Sequence, residues 1–85
     1  MGYGLFLQPR AKRSLEKAPP GMQPRLKAAM QALAGAPRPP GSKKLKGQRD
    51  TWRIRVGDWR IVYVPDDDAK AVVVTVVAHR REVYD

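Results

Sequence analysis

From Thr51 onward the hydrophobic period of the chain is two residues, and this constrains the fold more than any other feature. Trp52, Ile54 and Val56 alternate with Arg53 and Arg55, and after Gly57-Asp58 the residues Trp59, Ile61 and Tyr63 alternate with Arg60, Val62 and Val64. Two alternating runs joined by a Gly-Xaa pair predict a β-hairpin closed by a two-residue type II′ turn. Such a loop sets Val56 against Trp59, Ile54 against Ile61 and Trp52 against Tyr63. All six are apolar or aromatic and fall on one face, a consistency that the register did not have to satisfy. On the other face Arg55 lies directly opposite Arg60, with Arg53 as a diagonal neighbour.

The 85 residues suffice for one domain with a small core, which puts function at a surface or an edge rather than in an enclosed pocket. Cysteine is absent and histidine occurs once. Disulfides, thiolate metal sites and a cysteine nucleophile are therefore excluded, and neither a metal nor any other cofactor is expected. The longest apolar run, Ala71 to Ala78, is far shorter than the roughly 20 residues of a membrane span. It reads as a buried strand, apolar on both faces and so expected to be covered from both sides. With no signal peptide recognised and no cysteine, a cytoplasmic protein without a membrane partner is expected.

Upstream of the hairpin, Tyr3 to Leu7 reads as a first strand ended by Pro9. Ala11, Leu15 and Ala18 recur at helical spacing from Arg10 to Lys17. Pro24 suits the first turn of a second helix, in which Met22, Leu26, Ala29, Met30 and Leu33 share a face and Gly35 is the expected stop. The stretch from Pro37 through Gly47 reads as an exposed connection. Pro65-Asp66-Asp67-Asp68 reads as a turn before the strand Ala71 to His79. The predicted class is α+β in the order β-α-α-β-β-β: two N-terminal helices packed on one face of a small, mostly antiparallel four-stranded sheet.

Seventeen Lys and Arg against eight Asp and Glu leave a net charge of +9. Between Arg38 and Arg60 eight basic residues face two acidic ones, so two thirds of the excess sits in about a quarter of the chain. A polyanion, nucleic acid first, is the partner such a patch suits. Like charges opposed across a sheet call for an anion between them, unless the long side chains splay apart into water. His79, Arg80, Arg81 and Tyr84 follow at the end of the last strand. Cations that hold a phosphate, beside groups able to move protons, are what RNA cleavage by the 2′-OH requires.

Three ordered segments, Lys43-Lys44-Leu45-Lys46-Gly47, Trp52 to Tyr63, and His79-Arg80-Arg81-Glu82-Val83-Tyr84, resemble the RelE branch of the RelE/ParE toxin superfamily. The resemblance spans nearly the whole chain and implies a single toxin domain over residues 1–85. It implies a ribosome-dependent endoribonuclease that cuts mRNA in the A site and is held in check by a cognate acidic antitoxin. Carried over by motif, the catalytic set is Arg53, Arg55, Arg60, Arg80 and Tyr84, with His79 adjacent. Lys43, Lys44, Lys46, Arg49 and Arg81 are the candidate RNA-binding cations. Arg53 and Arg55 stand where lysine is frequent in RelE-type enzymes, and an arginine is a poor base. The base is therefore sought in His79, in Tyr84 or in ribosomal groups. Two other readings stay open: a ParE-like inhibitor that binds DNA gyrase, and an RNA- or ribosome-binding module without chemistry.

Overall fold

A computed structural model describes residues 2–47 and 50–82. The elements run β1 (Gly4–Leu7), α1 (Pro9–Lys17), α2 (Gln23–Gly35), β2 (Lys43–Lys44), β3 (Trp52–Val56), β4 (Trp59–Asp66) and β5 (Ala71–His79), followed by a 3-10 turn at Arg80–Glu82. The sheet order is β1-β5-β4-β3-β2, with β1 parallel to β5 and the other pairs antiparallel. The α+β class and the two helices are as the sequence predicts, but among the described residues the sheet has five strands rather than four. Lys43 and Lys44, expected in a connection, pair with Arg53 and Trp52. A two-residue edge strand carries no periodicity to read, and exposed lysines are a common means of blunting an edge.

The core follows from two periods meeting. Ala11 and Leu15 of α1, with Ala18 just past its end, and Leu26, Met30 and Leu33 of α2 are buried against Ile61, Tyr63, Val72, Val74 and Val77. Trp52, Ile54, Val56 and Trp59 pack half-buried around that cluster, as the hairpin pattern predicts. The hydroxyl of the fully buried Tyr63 donates to the carbonyl of Pro37 at 2.6 Å, so its polar atom is satisfied.

Two boundaries and one packing expectation differ from the sequence reading. Gly35 is the last residue of α2 rather than a left-handed stop after it, and the chain leaves the helix at Ala36, which is extended (φ −145°, ψ 90°). Pro37 accounts for this, because a proline disfavours the helical conformation in the residue before it. Pro65 and Asp66 belong to β4, opposite Val72 and Ala71, and the turn comes two residues later, over 67–70. β4 tolerates the proline because β3 ends its pairing at Tyr63, leaving β4 an edge there. Finally, β5 is central but covered by helices on one face only. Val73 and Val76 on its other face are half-buried, and Phe6 of β1, opposite Val73, is 58% exposed.

The hairpin register is the predicted one: Val56 faces Trp59, Arg55 faces Arg60, Ile54 faces Ile61 and Trp52 faces Tyr63. Gly57 has φ +59° and Asp58 is not in the positive-φ region, as a type II′ turn requires. A methyl group on Gly57 would meet no atom closer than 3.7 Å, so space is not limiting. Gly57→Ala should therefore destabilise the fold by about 1–2 kcal/mol through backbone strain alone. Urea unfolding should show a lower midpoint with an unchanged slope, and an unchanged midpoint would contradict the strain argument.

Candidate functional site

The face of the sheet without helices carries the cations in rows set by strand pairing. At the hairpin tip Arg55, Arg60 and Ala78 stand side by side on β3, β4 and β5. One step further Lys43, Arg53, Val62 and Val76 form the next row. Arg53 and Arg60 are half-buried and Arg55 is exposed, while the Nη1 atom of Arg60 is shut off from solvent. Lost hydration, followed by the charges of Arg55 and Arg53, lowers the affinity of Arg60 for its proton. Lost hydration and then Arg55 act in the same way on Arg53. All three remain cations at neutral pH, so the face holds a concentrated positive field.

Arg80 joins this group because of one irregularity in β5. Val62 pairs with Val76 but Tyr63 pairs with Val74, so Thr75 is an extra residue, and its Oγ1 donates to the Val62 carbonyl at 3.2 Å. The bulge reverses the alternation of β5. Val72, Val74 and Val77 all enter the core, Ala78 lands beside Arg60, and His79 lands opposite Trp59. Arg80 then closes against the turn, its N–H donating to the Asp58 carbonyl at 2.7 Å and its Nη1 lying 3.9 Å from Asp58 Oδ1. Arg55, Gly57, Asp58, Trp59, Arg60 and Arg80 line a cleft of about 200 Å³.

His79 lies on the other face of the sheet. Its ring meets Trp59 edge to face, with centroids 5.6 Å apart at 88°, and its Nδ1 accepts the Arg81 N–H at 3.3 Å. The structure thus brings Arg53, Arg55, Arg60 and Arg80 together and sets His79 apart from them. Lys43 extends the arginine row, Lys44 turns to Asp50 at 3.9 Å, and Lys46 is exposed in a turn. Arg49 and Tyr84 lie outside the described residues. Among the described residues no three His, Cys, Asp or Glu side chains gather to hold a metal ion, and no helix is long and apolar enough to cross a membrane.

The basic patch of the sequence is divided in space. At the end of the sheet away from the hairpin tip, Arg38 Nη2 contacts Asp50 Oδ2 at 2.6 Å and Asp67 Oδ2 at 3.1 Å. Its guanidinium lies 5.6 Å from the Trp52 ring centroid. The Trp52 indole donates to Asp50 at 2.7 Å and the Tyr3 hydroxyl to Asp67 at 2.6 Å. Sequence spacing could not show this network, because its members come from four separate segments.

Comparison with known proteins gives the class to which this small basic α+β domain, with opposed arginines on its bare sheet face, belongs. The family model described as the ParE toxin of type II toxin-antitoxin systems, parDE, matches residues 5–84. The chain belongs to that family of toxins. Its relatives place it in the RelE branch. The putative toxin RelE1 of Methanocaldococcus jannaschii is 25% identical over 87 residues, covering 99% of this chain and 97% of that protein. The RelBE2 toxin-antitoxin complex from Mycobacterium tuberculosis contains a chain that superposes with a TM-score of 0.83 at 28% identity, covering 94% of this chain and 100% of that one. The intact E. coli RelBE complex gives 0.80 at 26% identity, covering 91% and 95%.

The Arg38 network makes a prediction for acid stability. The Trp52 indole and then Arg38 hold the Asp50 carboxyl below its ordinary range, and Arg38 and then Tyr3 do the same for Asp67. A carboxyl depressed in the folded state stabilises the fold fully above its unfolded pKa, about 3.9, and that contribution is lost as pH falls through the folded value. Wild type should therefore lose stability between about pH 5 and pH 2. Arg38→Ala should start less stable at neutral pH and lose less over that interval. Urea midpoints across this range check the point, and parallel curves for the two proteins would refute it.

Proposed function

We propose that this protein is a ribosome-dependent endoribonuclease that cleaves mRNA in the A site and is restrained by an acidic antitoxin. The observation that carries the reading is the opposition of Arg55 and Arg60, with Arg53 diagonal and Arg80 on the same cleft, on a face that no helix covers. Guanidinium groups gathered on one surface suit a phosphate, to which each can donate charge-assisted hydrogen bonds. In the proposed reaction the mRNA 2′-OH attacks the adjacent phosphorus and the P–O5′ bond breaks, leaving a 2′,3′-cyclic phosphate and a 5′-OH. One proton leaves the 2′-oxygen and another reaches the departing 5′-oxygen. The arginines stabilise the added negative charge on the phosphorane as it forms.

Proton transfer needs a different group, since arginine hardly accepts a proton. His79 faces away from the arginines and is held by Trp59 and the Arg81 N–H. The base is therefore assigned to Tyr84 or to ribosomal groups. The RelB–RelE complexes among the solved relatives support an antitoxin partner, and the net charge of +9 supports an acidic one.

Two substitutions test the reading. Arg60→Ala should reduce mRNA cleavage on ribosomes by about 10²- to 10³-fold while the far-UV spectrum and unfolding midpoint show a folded protein. Primer extension on mRNA after induction reads the cuts directly. Undiminished cleavage by Arg60→Ala would remove the arginine face from the chemistry, and growth arrest with intact mRNA would favour a gyrase-directed action of the ParE kind. His79→Gln should keep the shape of the pH–rate profile in single-turnover cleavage. Loss of its rising limb would return His79 to the role of base.

A further inference from the structure

Gly57 belongs to two surroundings at once. On the bare side of the sheet it lines the cleft with Arg55, Arg60 and Arg80. On the helix side it faces the start of α2: a Cβ placed on Gly57 would stand 3.7 Å from Nη1 and Nη2 of Arg25 and 3.7 Å from Met22 Cε. The Arg25 guanidinium therefore lies against the same turn that carries the cleft, from the opposite side.

Stability gives no reason for an arginine at this place. Arg25 is the third residue of α2, near the helix N-terminus, where the peptide dipoles disfavour a cation, and the first turn carries no acidic residue. The side chain is exposed, and no ion pair or hydrogen bond holds it among the described residues. The carboxylate of the turn, Asp58, is directed to Arg80 instead. Cations thus flank the hairpin tip on both sides. A single phosphate cannot reach both faces, but a strand drawn across the tip can place successive phosphates on each.

We infer that Arg25 is a second phosphate contact, which grips the RNA backbone on the helix side of the hairpin tip beside the phosphate held by Arg55, Arg60 and Arg80. The inference rests on the RNA-cleaving reading and extends its binding surface to a residue outside the sheet. Arg25 acts in binding alone, because it lies away from the cleft in which the bond breaks.

The test is single-turnover cleavage of a defined mRNA on programmed ribosomes, followed against ribosome concentration at several salt concentrations. Arg25→Ala should raise the half-saturating concentration about three- to tenfold at about 0.1 M salt, with the limiting rate retained. It should also reduce the slope of log affinity against log salt by about 0.7–0.9, one phosphate's worth. Arg25→Lys should recover the slope, since a point charge suffices to neutralise a phosphate. Unchanged half-saturation and salt slope in Arg25→Ala, with wild type cleaving normally, would overturn the inference and leave the cleavage reading standing. Weaker copurification with an antitoxin as the sole effect would overturn it as well, making Arg25 a protein contact. Wild-type protein that leaves ribosome-bound mRNA intact would overturn both readings together.

Discussion

The pairing of β3 with β4 is the constraint on which the rest of the molecule depends. Side chains alternate strictly across a strand, so a slip of one residue would carry Trp52, Ile54 and Val56 to the bare face and bring Arg53 and Arg55 against the helices. The core could not absorb two guanidinium groups beneath Leu26 and Met30, and the arginine cluster would be lost in the same step. The fold and the candidate site are thus secured by a single register. That register is held by a two-residue turn whose Gly57 takes a φ of +59°.

One extra residue in β5 then decides which C-terminal groups share the arginine face. Without the bulge at Thr75, the alternation that buries Val72 and Val74 would continue to Val76 and Ala78, Val77 would lie opposite Arg60, and His79 would fall on the bare face. With it, Val77 takes the core position opposite Ile61, and the small Ala78 lies next to Arg60. Arg80 follows on the bare side, pinned to the turn by the Asp58 carbonyl. A bulge often serves to re-aim side chains next to a functional site, and here it exchanges a histidine for an arginine.

These two features also explain what could be read from the sequence and what could not. The hairpin was legible because tryptophan, isoleucine and arginine differ so strongly that a period of two is unmistakable. Its opposed Arg55 and Arg60 followed by simple pairing. The parity of β5 was hidden because Val72, Val73, Val74, Val76 and Val77 are the same residue and Thr75 resembles valine in shape. No pattern of polarity marks where the extra residue falls. For the same reason His79 looked like a neighbour of the arginines, being close to Arg80 in sequence. The edge strand at Lys43–Lys44 was too short to announce itself, and the single covered face of β5 could not be told from two.

The distribution of charge carries a further lesson about net charge as a guide to function. The richest basic segment of the sequence includes Arg38 and Lys44, yet both turn toward Asp50, and Arg38 also binds Asp67. That end of the sheet contains its own counter-ions, and the Tyr3 hydroxyl and Trp52 indole complete their hydrogen bonding. At the other end, among the described residues, Asp58 is the carboxylate of a hairpin tip that carries Arg55, Arg60 and Arg80, with Arg25 beside Gly57, and it lies 3.9 Å from Arg80. Among the described residues, Asp50 and Asp67 gather where the fold is tied together, and the hairpin tip holds more cations than carboxylates. A polyanion approaching the molecule therefore meets an oriented charge distribution rather than a uniformly basic surface, and is drawn toward the end where the opposed arginines lie.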